Sequence, residues 1–579
     1  MISSQDPRSP LRSARTDKYR LGAHRPAVEK RLADWDGARF GRRLWAGDPS
    51  LWVTGLAAEI SDRLGWLRLP EVMAGRLAAF RAFAEEVRAE GIDRVVLLGM
   101  GGSSLAPELF QRTLGNAPGY PRIFVLDSTH PAAVAAIERA IDIRWTLFVV
   151  SSKSGTTIEP LSFFRYFWEK AGRIDERPGR RFAAISDPGT PLQALARERG
   201  FRRAFEALPD VGGRFSALTD FGLVPAALIG ADIGALLAAA REAAAADGPD
   251  VPAAQSPALR LGAALGELAL AGADKLTIRT TAGLASFPDW LEQLIAESTG
   301  KDGKGIVPIA GEPAGPAART SLDRAFVFLA LAGDNARALD NEALALEADG
   351  RPVIRIRLEG LGALGQEIFH WELAVAAACS ALGVHPFNQP DVELAKDLAR
   401  RAMAARAKGA PAGADAAPGV MASDGPALPE AVAAWLGGCR EHDYVSLQAY
   451  LGPGADVDQG LDLVRERLLA ATGRPVTLGR GPRFLHSTGQ LHKGGPDEAL
   501  VLQLVDTPAL ELPVPETEFD FGTLVRAQAD GDLQALRRCG RRVLRVDLGG
   551  NAPGGLARLA AAVGRAYLPG PRLDTSGRT

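Results

Sequence analysis

The chain has 579 residues, 46% hydrophobic and 23% charged, which suits a globular enzyme of several domains. A formal net charge of −2 provides no global field for nucleic acid or an anionic membrane, so an anionic ligand must be held by local groups. Three widely spaced cysteines (Cys379, Cys439, Cys539) argue against a disulfide framework, and no uninterrupted apolar run is long enough to span a membrane. A cytoplasmic protein with neither nucleic-acid nor membrane partners is expected.

Residues 1–40 read as an N-terminal arm, polar at its start and without the apolar core of a signal peptide. A helical stretch leads to about residue 90. Short apolar runs at 94–98, 123–127, 147–150 and 182–186 then read as strands separated by helices, within a first domain over 41–235. A second domain over 236–405 repeats the alternation, with strands at 275–278, 325–329 and 352–356. Residues 406–428 are a Gly/Ala/Pro linker with little side-chain surface to bury. Residues 429–579 again mix strands and helices, most clearly the strands 499–504 and 542–546. Strands alternating with helices imply parallel sheets covered on both faces. The expected fold is α/β: two doubly wound αβα domains plus a C-terminal α/β extension.

Two turns carry the first chemistry. Gly99-Met100-Gly101-Gly102-Ser103-Ser104 follows a strand and opens a helix. Its glycines let backbone amides approach an anion, and the helix start adds a positive dipole end. Ser151-Ser152-Lys153-Ser154-Gly155-Thr156-Thr157 follows another strand. Its hydroxyls and amides can form a nest for a phosphate. A plain tight turn or a hydroxyl-rich helix cap accounts for either one singly. Two on neighbouring strand ends favour a phosphate cradle of Gly101, Gly102, Ser103, Ser152, Lys153, Ser154 and Thr157. Neither turn has the spacing of a P-loop or a dinucleotide fingerprint.

The two turns together resemble the sugar-isomerase (SIS) fold. Four further stretches resemble glucose-6-phosphate isomerases: the runs from Asp210 to Ser216 (with Gly212-Gly213-Arg214-Phe215-Ser216), from Gln293 to Lys301, from Val384 to Lys396, and from Gly481 to Pro496. The last is similar to the isomerase half of bifunctional transaldolase/glucose-6-phosphate isomerases. The similarity spans roughly residues 40–560.

The resemblance implies reversible isomerisation of D-glucose 6-phosphate and D-fructose 6-phosphate through a cis-enediolate. Such a reaction needs a base to move a proton between C2 and C1, a cation for the developing oxyanion, and a grip on the phosphate. By the resemblance, Glu297 is the base, Arg214 the enediolate stabiliser, Gln389 and Lys396 contact the sugar, and Glu159 lines the pocket. No cofactor and no metal are implied, and no HExxH, CxxC or acidic cluster suggests one. Alternatives are a sugar-phosphate-binding protein without catalysis and an isomerase for a related hexose phosphate. The resemblance leaves room for a homodimer and for a functional link to transaldolase, although residues 1–40 are too short to hold a transaldolase barrel.

The family opens the sugar ring with a histidine, often from a neighbouring subunit, placed between the catalytic Glu and the second signature. Here no histidine occurs from 301 to 369, and Glu347-Ala348-Asp349-Gly350 stands where related short isomerases have His-Thr-Asp-Gly. His370 reads as structural. Of His385, His486 and His492, the Gly-rich stretch favours His492 or His486, with His492 carried as the catalytic candidate. That stretch either helps close the active site or is a packed turn of a structural domain.

Overall fold

Among the residues described by a computed structural model of the chain (15–53, 59–315, 321–407, 420–423 and 425–566), the strands form three five-stranded sheets. Strand β1 (Arg15–Arg20) lies at the edge of the second sheet. The first sheet contains β2 (Arg94–Leu98), β3 (Arg122–Leu126), β4 (Thr146–Ser151), β5 (Phe182–Ser186) and β6 (Arg203–Glu206), in the order β3-β2-β4-β5-β6. All its pairings are parallel. The apolar runs of β2, β4 and β5 are buried along almost their whole length because helices cover both faces. Leu98 is in register with Val150, so the turns after β2 and β4 emerge side by side. The winding reverses between these strands, the position where open α/β sheets bind ligands.

The second sheet runs β1-β10-β9-β7-β8, with β7 (Lys275–Thr280), β8 (Val307–Ala310), β9 (Arg324–Leu331) and β10 (Val353–Leu358) parallel to one another. β1 is antiparallel to β10, an exception to the expected all-parallel sheet. The expected N-terminal arm is corrected accordingly. Residues 1–14 lie outside the described residues, but β1 completes a sheet and the helix Arg25–Gly37 buries Val28, Leu32 and Trp35. Buried Arg15 donates through Nε to Glu367 Oε2 at 2.8 Å, which ties β1 to the domain. Strand β8 was not expected, since a four-residue run containing Pro308 carries little pattern.

The C-terminal region forms a complete third sheet. It consists of β11 (Val420–Met421), β12 (Tyr444–Tyr450), β13 (Val476–Arg480), β14 (Ala499–Val505) and β15 (Arg542–Asp547), all parallel, in the order β11-β15-β14-β12-β13. The expected linker over 406–428 is shorter than read, because β11 and the helix Ala427–Leu436 occupy its C-terminal part; 408–419 and 424 lie outside the described residues.

One large apolar core joins the first two domains, while the third has a core of its own around Val445, Leu447, Leu500, Leu502, Val464 and Leu556. The third domain also docks on both others. Phe521 and Leu524 join the aromatic cluster of the first sheet, where Phe163 and Phe521 stack at 5.9 Å. Tyr444, Leu491 and Val501 pack against Ala296, Val307 and Ile309 of the second domain. Among the described residues, no helix is long and apolar enough to cross a membrane.

Candidate active site

The two turns after β2 and β4 are tied together. Ser103 Oγ lies 2.8 Å from Met100 O and 3.0 Å from Ser151 O, and Ser104 donates to Asp127 Oδ2 at 2.9 Å. These two hydroxyls are engaged in holding the turns. In the second turn, Ser152 donates to Thr157 Oγ1 at 3.0 Å, and Ser154 and Thr156 face solvent 3.0 Å apart. Thr157 is the N-cap of the helix Ile158–Gly172, whose first amides and dipole favour an anion. Lys153 does not present a free cation here: its Nζ donates to Asp187 Oδ2 at 2.5 Å and to Pro209 O at 3.2 Å, which braces the turn.

The glycines of the first turn also let other chain segments pack closely. A Cβ on Gly102 would sit 2.1 Å from Gly213 O, and one on Gly101 would sit 2.9 Å from His486 O. Gly101 also has φ +58°, a conformation that disfavours side chains. Two other chain segments therefore press against this turn, one carrying Arg214 and the other His486.

Arg214 is buried, and Nη1 lies 3.2 Å from Glu297 Oε1. Its Nη2 donates to Asn388 O at 3.0 Å and to Gln389 Oε1 at 3.1 Å. Burial pushes the guanidinium below its ordinary pKa, while Glu297 opposes the shift. Glu297 projects from the helix Phe287–Thr299 and accepts from Gln293 Nε2 at 3.1 Å. The same Nε2 donates to His486 O at 2.8 Å. Lys301 supports the opposite side. Its buried Nζ donates to Ser298 O at 2.8 Å and to His385 O, bracing the loop that carries Asn388 and Gln389. Burial, then the Arg214 charge, push this ammonium down to about 7.

His486 sits in the one-turn helix Arg483–His486, and its Nε2 lies 3.0 Å from Glu159 Oε1. Arg483 anchors this turn to the first domain through Glu108 and Asp127. A cavity of about 690 Å³ is lined by Ser154, Thr157, Glu159, Gln389 and His486 among others, a size suited to a small-molecule ligand.

His492 requires correction. It lies on the third domain's interior side, 2% exposed, with Nδ1 3.1 Å from Gln448 Nε2 and Nε2 3.3 Å from Ser446 Oγ. Burial, then Lys493 and Arg541, push its pKa down to about 3. An enclosed imidazole of that kind stays neutral and does not reach the cavity. Lys396 belongs to the helix Pro390–Ala407, and its side chain lies outside the described residues. His370 is a buried partner of Asp247, Nδ1 to Oδ2 at 2.7 Å.

Sequence reasoning missed Gln293 and Gln528. Gln293 is four residues before Glu297 on one helix face, a signal that could have been used. Gln528 lies in the middle of the helix Phe521–Arg538, far along the chain, and nothing in its neighbours marks it.

A family model described as phosphoglucose isomerase matches residues 68–307. A glucose-6-phosphate isomerase of Rubrobacter xylanophilus is 30% identical over 426 residues, covering 64% of this chain and 95% of the relative. One of Heliobacterium modesticaldum is 30% identical, covering 58% and 85%. Among solved structures, a hypothetical protein from Thermus thermophilus aligns with TM-score 0.58 and 27% identity, covering 67% of this chain and 99% of that one. A glucose-6-phosphate isomerase from Chlamydia trachomatis aligns with TM-score 0.59 and 20% identity, covering 68% and 89%, a likeness of fold.

Proposed function

Because this chain belongs to the phosphoglucose isomerase family, we infer that it interconverts D-glucose 6-phosphate and D-fructose 6-phosphate through a cis-enediolate. The observation that carries the mechanism is the Glu297 carboxylate lying 3.2 Å from the buried Arg214 guanidinium, with Gln389 on the same fork. A binding protein needs no such pairing of a mobile base with a preorganised cation.

The substrate's phosphate is held by Ser152, Ser154, Thr157 and the amides at the start of the helix Ile158–Gly172. In the open-chain sugar, Glu297 removes the proton from C2 and returns it to C1. Arg214 meets the negative charge that develops on the enediolate oxygens, and its burial makes that interaction stronger than in water. A planar fork already anchored by Asn388 and Gln389 need not reorganise as the charge appears. Lys396, by its match to the family motif, contacts the sugar near the ring oxygen.

For ring opening we assign His486 in place of His492. His486 lines the cavity, and its Nε2 lies 3.0 Å from Glu159 Oε1. This group comes from the chain's own third domain, so the reading needs no histidine from a partner subunit. The enzyme acts on a soluble sugar phosphate, and we place it in the cytoplasm.

The test is a coupled assay converting fructose 6-phosphate to glucose 6-phosphate, wild type against Glu297→Gln. The expected loss of kcat is about 10²- to 10⁴-fold. Unchanged turnover in the variant removes Glu297 as the base. A wild-type protein that binds phosphorylated sugars without turning them over supports the non-catalytic reading instead.

A further inference from the structure

Along the cavity wall, a line of polar side chains crosses from the first domain into the third and back. Thr129 Oγ1 donates to Gln528 Oε1 at 2.6 Å. Gln528 Nε2 donates to Glu159 Oε1 at 2.7 Å, and the same oxygen faces His486 Nε2 at 3.0 Å. Thr129, Gln528 and Glu159 are 0%, 4% and 4% exposed. Thr129 follows β3 in the first domain, whereas Gln528 and His486 belong to the third.

The direction of each bond follows from chemistry. A Gln amide has a carbonyl oxygen that only accepts and a nitrogen that only donates. A flipped Gln528 would point its oxygen at the Glu159 carboxylate, acceptor against acceptor. Thr129 on one end and Glu159 on the other therefore hold the amide in a single orientation. Glu159 Oε1, already the acceptor of the Gln528 amide, is then also the acceptor toward the ring and places a hydrogen on His486 Nε2. The ring nitrogen that remains to exchange a proton with a sugar is Nδ1, since one nitrogen's hydrogen bond sets the state of the other.

We propose that Gln528, fixed by Thr129, is a positioning residue that holds Glu159 against His486 and so keeps the exchangeable proton of His486 on Nδ1. This rests on His486 as the ring-opening group. The third domain then supplies both the acid and the side chain that orients its partner, and its docking on the first domain sets which ring nitrogen of the acid carries the hydrogen.

The test uses the full-length enzyme labelled with ¹⁵N-histidine, its His486 signals identified by their loss in His486→Ala. Wild type is expected to show His486 as the Nε2–H tautomer when neutral. Gln528→Leu, of similar volume without the amide, is expected to mix the tautomers and to lower kcat about tenfold with KM changed less than twofold. Thr129→Val is expected to do the same more weakly and Thr129→Ser to behave as wild type, which keeps the test available if Gln528→Leu does not fold. An unchanged tautomer in Gln528→Leu and Thr129→Val overturns the proposal, whether or not kcat falls. The tautomer is read without turnover, so it is separate from the underlying assignment, which fails if His486→Ala converts glucose 6-phosphate at the wild-type rate.

Discussion

Gly102 meets Gly213 so closely that a Cβ on Gly102 would lie 2.1 Å from the Gly213 carbonyl oxygen. Gly102 opens the helix after the first turn, and Gly213 immediately precedes Arg214. The contact couples the first turn to the segment that carries Arg214. Gly102→Ala must displace the turn carrying Arg214, because backbone rather than a flexible side chain stands in the way. We expect kcat to fall by about 10²-fold, the cost of a misplacement near 1 Å. Isomerase kinetics check this, with circular dichroism showing that the fold is retained.

Arg214→Lys keeps the charge and loses the fork. One ammonium cannot reproduce the contacts to Asn388 O, Gln389 Oε1 and Glu297 Oε1 from one planar group. The expected result is a fall in kcat of about 10²- to 10³-fold, in line with removal of an oxyanion donor. Near-wild-type kcat in this variant would mean that the charge alone suffices.

His492 offers a pH prediction of opposite sense to a histidine that gains an acidic partner. Its folded pKa lies near 3, below the ordinary 6.5, so the unfolded chain binds more protons between those values. Stability from this group is fully present above pH 6.5 and is lost as pH falls toward 3. Wild type should lose stability faster than His492→Gln across that window, by about 1.4 kcal/mol per pH unit. Urea unfolding at several pH values measures the difference. The same variant should keep isomerase activity at neutral pH, whereas His486→Ala should not.

A buried ion pair of the second domain also touches the third. Glu312 and Arg324, both 0% exposed, approach to 2.6 Å, and Glu312 Oε1 also accepts from Val476 N of β13 at 2.8 Å. Glu312→Gln removes the carboxylate and leaves a buried guanidinium without its counter-charge. The expected loss is about 3–5 kcal/mol, measured as a lower midpoint in denaturant. A double variant with Arg324→Met should recover much of it, because an apolar replacement removes the unpaired charge.

Much of the fold was legible because strand runs such as Val95-Val96-Leu97-Leu98 and Leu147-Phe148-Val149-Val150 bury both faces and so read as uninterrupted apolar segments. β1 was not, because Arg15-Thr16-Asp17-Lys18-Tyr19-Arg20 is polar and becomes a strand only when β10 offers an edge. In the site, Glu297, Arg214 and Gln389 could be found from their motifs, and the structure brings all three together. Lys153 misled because a lysine in a hydroxyl-rich turn looks free to meet a phosphate, whereas Asp187 from the next strand end already holds it.

The histidines draw the dividing line. His486 and His492 stand six residues apart in one Gly-rich stretch with the same flanking chemistry, and local sequence offered no physical ground for separating them. The sequence by itself determined the two turns and the alternation that builds parallel sheets, since those depend on residue type and short spacing, while the roles of Glu297 and Arg214 came from the family resemblance of their motifs. Only the tertiary structure decided which histidine meets the cavity. That depends on a third sheet docking across the first two, which buries His492 beside Ser446 and Gln448 and holds His486 against Glu159. Burial and partner geometry are set by chain segments hundreds of residues apart, and no local pattern carries them.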